Sequence, residues 1–359
     1  MAEDVPLYNL AVGKDLAHVG KQSASVGGWQ LSLTPNYCQA MRSLPTGPAI
    51  LNGTHVPGND GTWVQTAVAT RPDGVAAEQS LLLVDGTRPD NGLSDILTLL
   101  TFLNGRNVVD TNGMVGYLPL PTTLPAAHPE MLFQGLESAW RTRANLAGSK
   151  AMALHLHNES LRHDSFQVAG LIEYTALDIL LGQEQLNPTL LPPQRRAALR
   201  FGIGVATWLS CVGTPSGGSD WRNYLISKID AGLIGQTEKL TNLLSSIGVL
   251  TADELQDRKV LGRISYLNKV RNGIVHQGMV SKRLPKQFGA RLVQAVVKGM
   301  IPAIVILSIL HELRVAHETW NYYWRDHLHN YLLNGIWLGW PLETVEFRGW
   351  VSNEYGINL

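Results

Sequence analysis

Three residues in one short stretch have the types and spacing to do chemistry together. They are Arg271, Asn272 and His276, in Arg271-Asn272-Gly273-Ile274-Val275-His276, inside the segment Tyr266 to Gly278. On a helix of about 3.6 residues per turn, Asn272 and His276 stand one above the other. Arg271 is about 100° round from Asn272, and its side chain is long enough to swing toward the same side. The set offers a fixed cation, an amide and a titratable ring. Such a set can break a phosphodiester without a metal: an imidazole accepts or donates the proton, and a guanidinium meets the charge building on the phosphoryl oxygens. Gly278 stands where a left-handed residue would end the helix, which puts His276 near the C-terminal end of the helix dipole, where the protonated ring is favoured.

The neighbouring residues must position this set. Ile264, Leu267, Val270 and Ile274 recur at helical spacing as one apolar stripe, and Asn272 and His276 lie off it, so the polar pair is expected to face a cleft or a partner. Tyr266, Lys269 and Gln277 flank the motif as supporting candidates. Arg258, Lys259, Lys269, Lys282 and Arg283 carry charge able to track a nucleic-acid backbone. Glu173, on an apolar helix read from Asp164 to Leu181, is a candidate to orient His276 or Arg271, although a solvated carboxylate is the plainer reading for it and for Asp178.

The sequence Arg271-Asn272-x-x-x-His276, followed by Gln277-Gly278 and preceded by a helix rich in Leu and Ile, resembles the RNxxxH signature of HEPN domains. The likeness covers about Phe166 to Leu313 and is to the abortive-infection type with a separate N-terminal domain. It implies a helical bundle and a metal-independent endoribonuclease that serves as a host-toxic antiviral effector. It implies RNA as substrate, no cofactor, a homodimer or higher homo-oligomer, and a phage-derived or antitoxin regulator. The expected products are a 2′,3′-cyclic phosphate and a 5′-hydroxyl. The alternative from the same resemblance is a non-catalytic module that binds a nucleotide or a partner, or a toxin silenced by nucleotidylation, with Tyr266 as a target.

The rest of the chain sets the frame. Its 359 residues suit two domains, and 45% hydrophobic residues allow a sizeable core. Net charge is zero, so RNA binding has to rest on a local patch and not on bulk electrostatics. Cys38 and Cys211 are far apart and lack zinc spacing, which fits a reduced, cytoplasmic protein. The N-terminus has no basic and apolar leader pattern, and the apolar run Met300 to Leu310 is too short to span a bilayer. The fold class expected is α+β: a small β-rich N-terminal domain over 1–127, sensory or restraining, and an all-α HEPN-like bundle over 128–359 with a Trp-rich end. Strands are expected at Gly27 to Leu33, where the alternation follows a glycine turn, at Thr62 to Val68, Ser80 to Val84 and Arg106 to Val109, with one helix from a Ser94 N-cap to near Gly105 and a Pro-rich linker at Leu118 to Pro129. Helices are expected at 130–147, 164–181, 193–211, 220–229, 237–247, 252–277, 287–313 and 318–333.

Other constellations compete weakly. His155 and His157 would face the same way on a strand, with His163 close by, so a metal-dependent hydrolase is a third reading, but no Cys or carboxylate triad joins them. His311-Glu312 has Val315 where a zinc-protease helix needs its second histidine. Gly202 and Gly204 are a fragment of a dinucleotide fingerprint, and there is no Walker motif or nucleophile elbow.

Overall fold

A computed structural model of the chain describes residues 3–8, 10, 23–35, 49–51, 54–56, 65–82, 91–105, 107–110, 129–146, 148–163, 166–183, 236–277, 295–315 and 317–359. Cys38, Cys211, Gly202, Gly204, Gly278, Lys282 and Arg283, the expected helices at 193–211 and 220–229, and the Pro-rich stretch at 118–128 lie outside the described residues.

The architecture is mixed α+β. Strands β1 (Glu3–Tyr8), β2 (Ser23–Val26), β3 (Trp29–Leu33) and β6 (Gln65–Arg71) form an antiparallel sheet in the order β1-β6-β3-β2, and β4 (Ala49–Leu51) and β5 (Thr54–Val56) pair separately. Gly27 and Gly28, with φ of +59° and +87°, make the two-residue turn between β2 and β3 and bring Val26 opposite Trp29. Both turn positions need positive φ, which glycine takes without steric cost. Strand alternation gives the sheet a buried face that carries Ala24, Val26, Trp29, Leu31, Ala67 and Ala69.

Helix α1 (Leu93–Asn104) is bracketed by Gly92 and Gly105, both left-handed. Ser94 is therefore not its N-cap: Gly92 holds that position, and Asn91 Oδ1 accepts from Leu93 N at 3.2 Å. The run from Ser80 is not a strand where it is described. Asp95 of α1 takes the N–H groups of Leu81 and Leu82 at 2.7 and 3.0 Å, so these donors serve a side chain and not a ladder. Of the described residues of the strand expected at 106–109, Val109 alone pairs, bridging to Tyr8.

Helix α2 (Pro129–Thr142), continued by the 3-10 turn Arg143–Leu146, packs on β2 and α1. Trp140 lies so close over Gly27 that a Cβ there would clash with its ring. The sequence assigns α2 to the helical half, but its buried Leu132, Phe133, Leu136 and Trp140 belong to one continuous core with the sheet. Chain order changes character near 127, while the core runs across that point.

The remaining elements are α3 (Ser149–Ser160), α4 (Phe166–Gln183), α5 (Gln236–Ser246), α6 (Arg258–Gln277), a π-helical turn Val296–Met300 running into α7 (Ile301–Glu312), α8 (His317–Asn334), the hairpin β7 (Ile336–Trp337) with β8 (Trp340–Pro341), and α9 (Val345–Tyr355). Helices α3 and α4 pack side by side, α7 lies against both, and α6 contacts α4, α5, α8 and α9. Trp337 stacks on Trp324 at 6.2 Å and lies against Gly299, where a Cβ would meet its ring at 2.6 Å. Among the described residues, no helix is long and apolar enough to cross a membrane.

Candidate functional site

Helix α6 carries the Arg-Asn-x-x-x-His motif in its last two turns. Its start is fixed locally. Asp257 Oδ1 accepts from Lys259 N at 2.8 Å, just after a reciprocal cap in which Thr251 N donates to Glu254 Oε2 at 2.8 Å and Glu254 N donates to Thr251 Oγ1 at 3.3 Å. The Thr251 backbone donor is the main reason the Glu254 carboxyl sits below its usual range. His329, 2.8 Å from Glu254 Oε1, pulls the same way.

Of residues 271–277 the backbone alone is described, and their side chains lie outside the described part of the structure. The helix itself still sets which positions share a face. Ile264, Leu267 and Val270 are fully buried, as the stripe requires. Positions 272 and 276 continue the row of Ser265 and Lys269, which are half-buried and exposed. Position 271 continues a different row, that of Val260, Ile264 and Leu267, all buried. The helix therefore keeps positions 272 and 276 on one face, with position 271 about 100° round from them, as its spacing requires.

Upstream, the C-terminal segment grips the same helix. Arg263 is buried, with Nε and Nη2 donating to Glu343 Oε1 and Oε2 at 2.8 and 2.9 Å, and Nη1 donating to the carbonyls of Leu332 and Leu333 at 2.9 and 2.8 Å. Burial alone would lower the Arg263 pKa, but the hydrogen bonds and charge of Glu343 outweigh it and leave the group above its ordinary value. Tyr266 is fully buried, its ring edge-on to Phe347 at 5.6 Å. That corrects the expectation of Tyr266 as a nucleotidylation target, since a modifying enzyme cannot reach a phenol held in the core.

Glu173 is not the solvated carboxylate of the plainer reading. It is buried, and its Oε1 accepts from His157 Nδ1 at 2.7 Å and from the Ser160 hydroxyl. Phe102 packs edge-on to the His157 ring at 5.6 Å. Sequence reading missed His157 and Ser160 as the partners. Their spacing, one turn apart on α3 opposite a carboxylate on apolar α4, was the available signal. The group is not a nucleophilic triad, because the serine hydroxyl bonds the Glu173 carboxylate and the His157 carbonyl, and its hydrogen bonds do not include the imidazole.

The metal reading fails on geometry. Residues 155–157 are helical, so His155 and His157 diverge: His155 bonds the Leu82 carbonyl and His157 bonds Glu173. Among the described residues, no group of three or more His, Cys, Asp or Glu side chains could share a metal ion. A cleft of about 180 Å³, lined by Lys150, Leu180, Leu243, His311 and Glu312 among others, lies at the ends of α3, α4, α5 and α7. Its Lys150 and Glu312 pair with each other at 2.6 Å.

No family model matches the chain, and no curated protein and no solved structure matches it significantly.

Proposed function

We propose that the chain is a metal-independent endoribonuclease whose active site is assembled from the RNxxxH motifs of two copies. The observation that carries this reading is the placement of positions 272 and 276 at the end of a long, firmly anchored helix, in one row with the exposed Lys269. Attack of a 2′-hydroxyl on the adjacent phosphorus needs one group to take a proton and another to give one to the departing 5′-oxygen. One histidine cannot stand in both places. Two copies of His276 about a two-fold axis can, and such dimers are the commonest assembly. Arg271 is the group for the negative charge on the phosphorane, Asn272 holds the motif or bonds the phosphate, and the products are a 2′,3′-cyclic phosphate and a 5′-hydroxyl.

In this reading the protein is a toxic antiviral effector, and the β-rich part transmits or withholds the activating signal from a phage-derived or antitoxin partner. The test is cleavage of RNA by purified protein with and without EDTA. Wild type is expected to cut in both, and His276→Ala to lose about 10²–10⁴-fold in rate. Equal rates in the two proteins would end the reading.

One observation favours a second reading. Position 271 continues the buried row of Val260, Ile264 and Leu267, as it would if Arg271 served the bundle and not a phosphate. A binding module that uses the same face without chemistry would then tolerate His276→Ala with unchanged growth on expression, whereas a toxin would be relieved by it.

A further inference from the structure

The geometry points to Arg263 as the positioning residue of the motif helix, fixing the rotation of α6 through the C-terminal segment 336–359. The functional consequence rests on the ribonuclease reading above. The mechanical one does not.

Three contacts from that segment fall within about one turn of α6. A Cβ added to Gly262 would lie 2.5 Å from the Asn358 carbonyl oxygen, so the terminal segment runs directly over the helix backbone at a position that admits only glycine. The Arg263 fork lies on Glu343, with both side chains only 5% exposed, and its remaining nitrogen spans two carbonyls at the end of α8. Tyr266 meets Phe347 of α9 edge to face.

Each contact resists a different motion. An aliphatic stripe such as Ile264, Leu267 and Val270 holds a helix against the core but permits small rotations, because dispersion is not directional. A planar guanidinium bound on one side by a carboxylate and on the other by two carbonyls is directional, and it fixes the angle of the helix about its axis. The hydrogen-bond ladder of α6 is continuous to Gln277, so an angle set at Arg263 is transmitted to positions 272 and 276. Displacement of a catalytic group by about 1 Å costs on the order of 100-fold in rate. Lysine at 263 offers a point charge in place of the fork and would not hold the angle.

The experiment compares the full chain with Glu343→Gln, Glu343→Asp and Gly262→Ala, measuring backbone hydrogen exchange and RNA cleavage. In Glu343→Gln and Gly262→Ala, amides 271–277 are expected to exchange about tenfold faster while α3 and α4 keep their protection. In the same variants kcat should fall about tenfold with KM within about twofold, and Glu343→Asp should recover part of both effects. Unchanged exchange at 271–277 would overturn the proposal. So would equal loss of protection in α3, α4 and α6, since Arg263 would then be a general stabiliser. If wild type cuts no RNA the ribonuclease reading fails by itself, and the exchange result still decides the role of Arg263.

Discussion

The Glu173 carboxylate and the His157 imidazole meet at 2.7 Å with both side chains 3% exposed, and this pair ties α4 to α3. Breaking such a pair strands the remaining group in a low-dielectric interior. Glu173→Ala is therefore expected to destabilise the protein by about 3 kcal/mol. Urea unfolding measures this, and a loss under about 1 kcal/mol would show that the pair is dispensable.

A second polar node joins the sheet side to the helices. Asp95, 1% exposed, accepts from Leu81 N, Leu82 N and Arg143 Nε, while the Arg143 guanidinium stacks 3.7 Å above Trp140. Asp95→Ala leaves two backbone donors and the Arg143 Nε short of a partner, while Arg143 keeps Glu78 at 2.9 Å. The expected loss is about 3–5 kcal/mol, with Asp95→Asn in between, read by thermal or denaturant unfolding.

Removal of residues 1–127 tests whether the β-rich part is separable. Helix α2 packs on β2, and Leu132, Phe133, Leu136 and Trp140 are buried there. Their exposure would leave an apolar face with nothing to cover it. The fragment 128–359 is expected to be aggregated or molten by size exclusion and near-UV circular dichroism. A monodisperse, cooperatively folding fragment would show two independent cores.

Lys269 is exposed on the row that continues to positions 272 and 276. If RNA crosses this face, Lys269→Ala should raise KM, leave kcat within about twofold, and reduce the slope of log affinity against log salt by about one. No change in salt dependence would take the RNA path off this face.

His327 gives the fold a pH dependence. Burial holds its pKa below the ordinary histidine value against the opposing pull of Asp326, and its ring sits 6.2 Å from that of Trp337. The unfolded chain then binds the proton more readily than the folded one. Stability should be full above the unfolded value of about 6.5 and fall as pH drops below it toward the lower folded value. The midpoint of thermal unfolding between about pH 7 and 5 checks this, and His327→Phe should flatten that part of the profile.

The local elements were largely legible. The period of Ile264, Leu267 and Val270 gave α6, the Gly27-Gly28 pair gave the β2–β3 turn, and Gly105 gave the end of α1. Helix α3 was missed because its Leu-His alternation at 154–157 imitates a strand and its start at Gly148 lacks a capping side chain. The strand expected from Ser80 failed because a competitor for its backbone donors, Asp95, stands on a later element.

What the sequence determined by itself is the strongly periodic part: the helical register of segments such as α1 and α6, and that an arginine, an asparagine and a histidine fall within two turns of one helix. Periodicity is a local property, set by each residue's own backbone and near neighbours. Tertiary structure alone decided that Glu173 serves His157, that Tyr266 is sealed under Phe347, and that Arg263 locks α6 to Glu343. A buried polar group takes whichever partner the fold brings within hydrogen-bond reach, and that partner can lie anywhere along the chain.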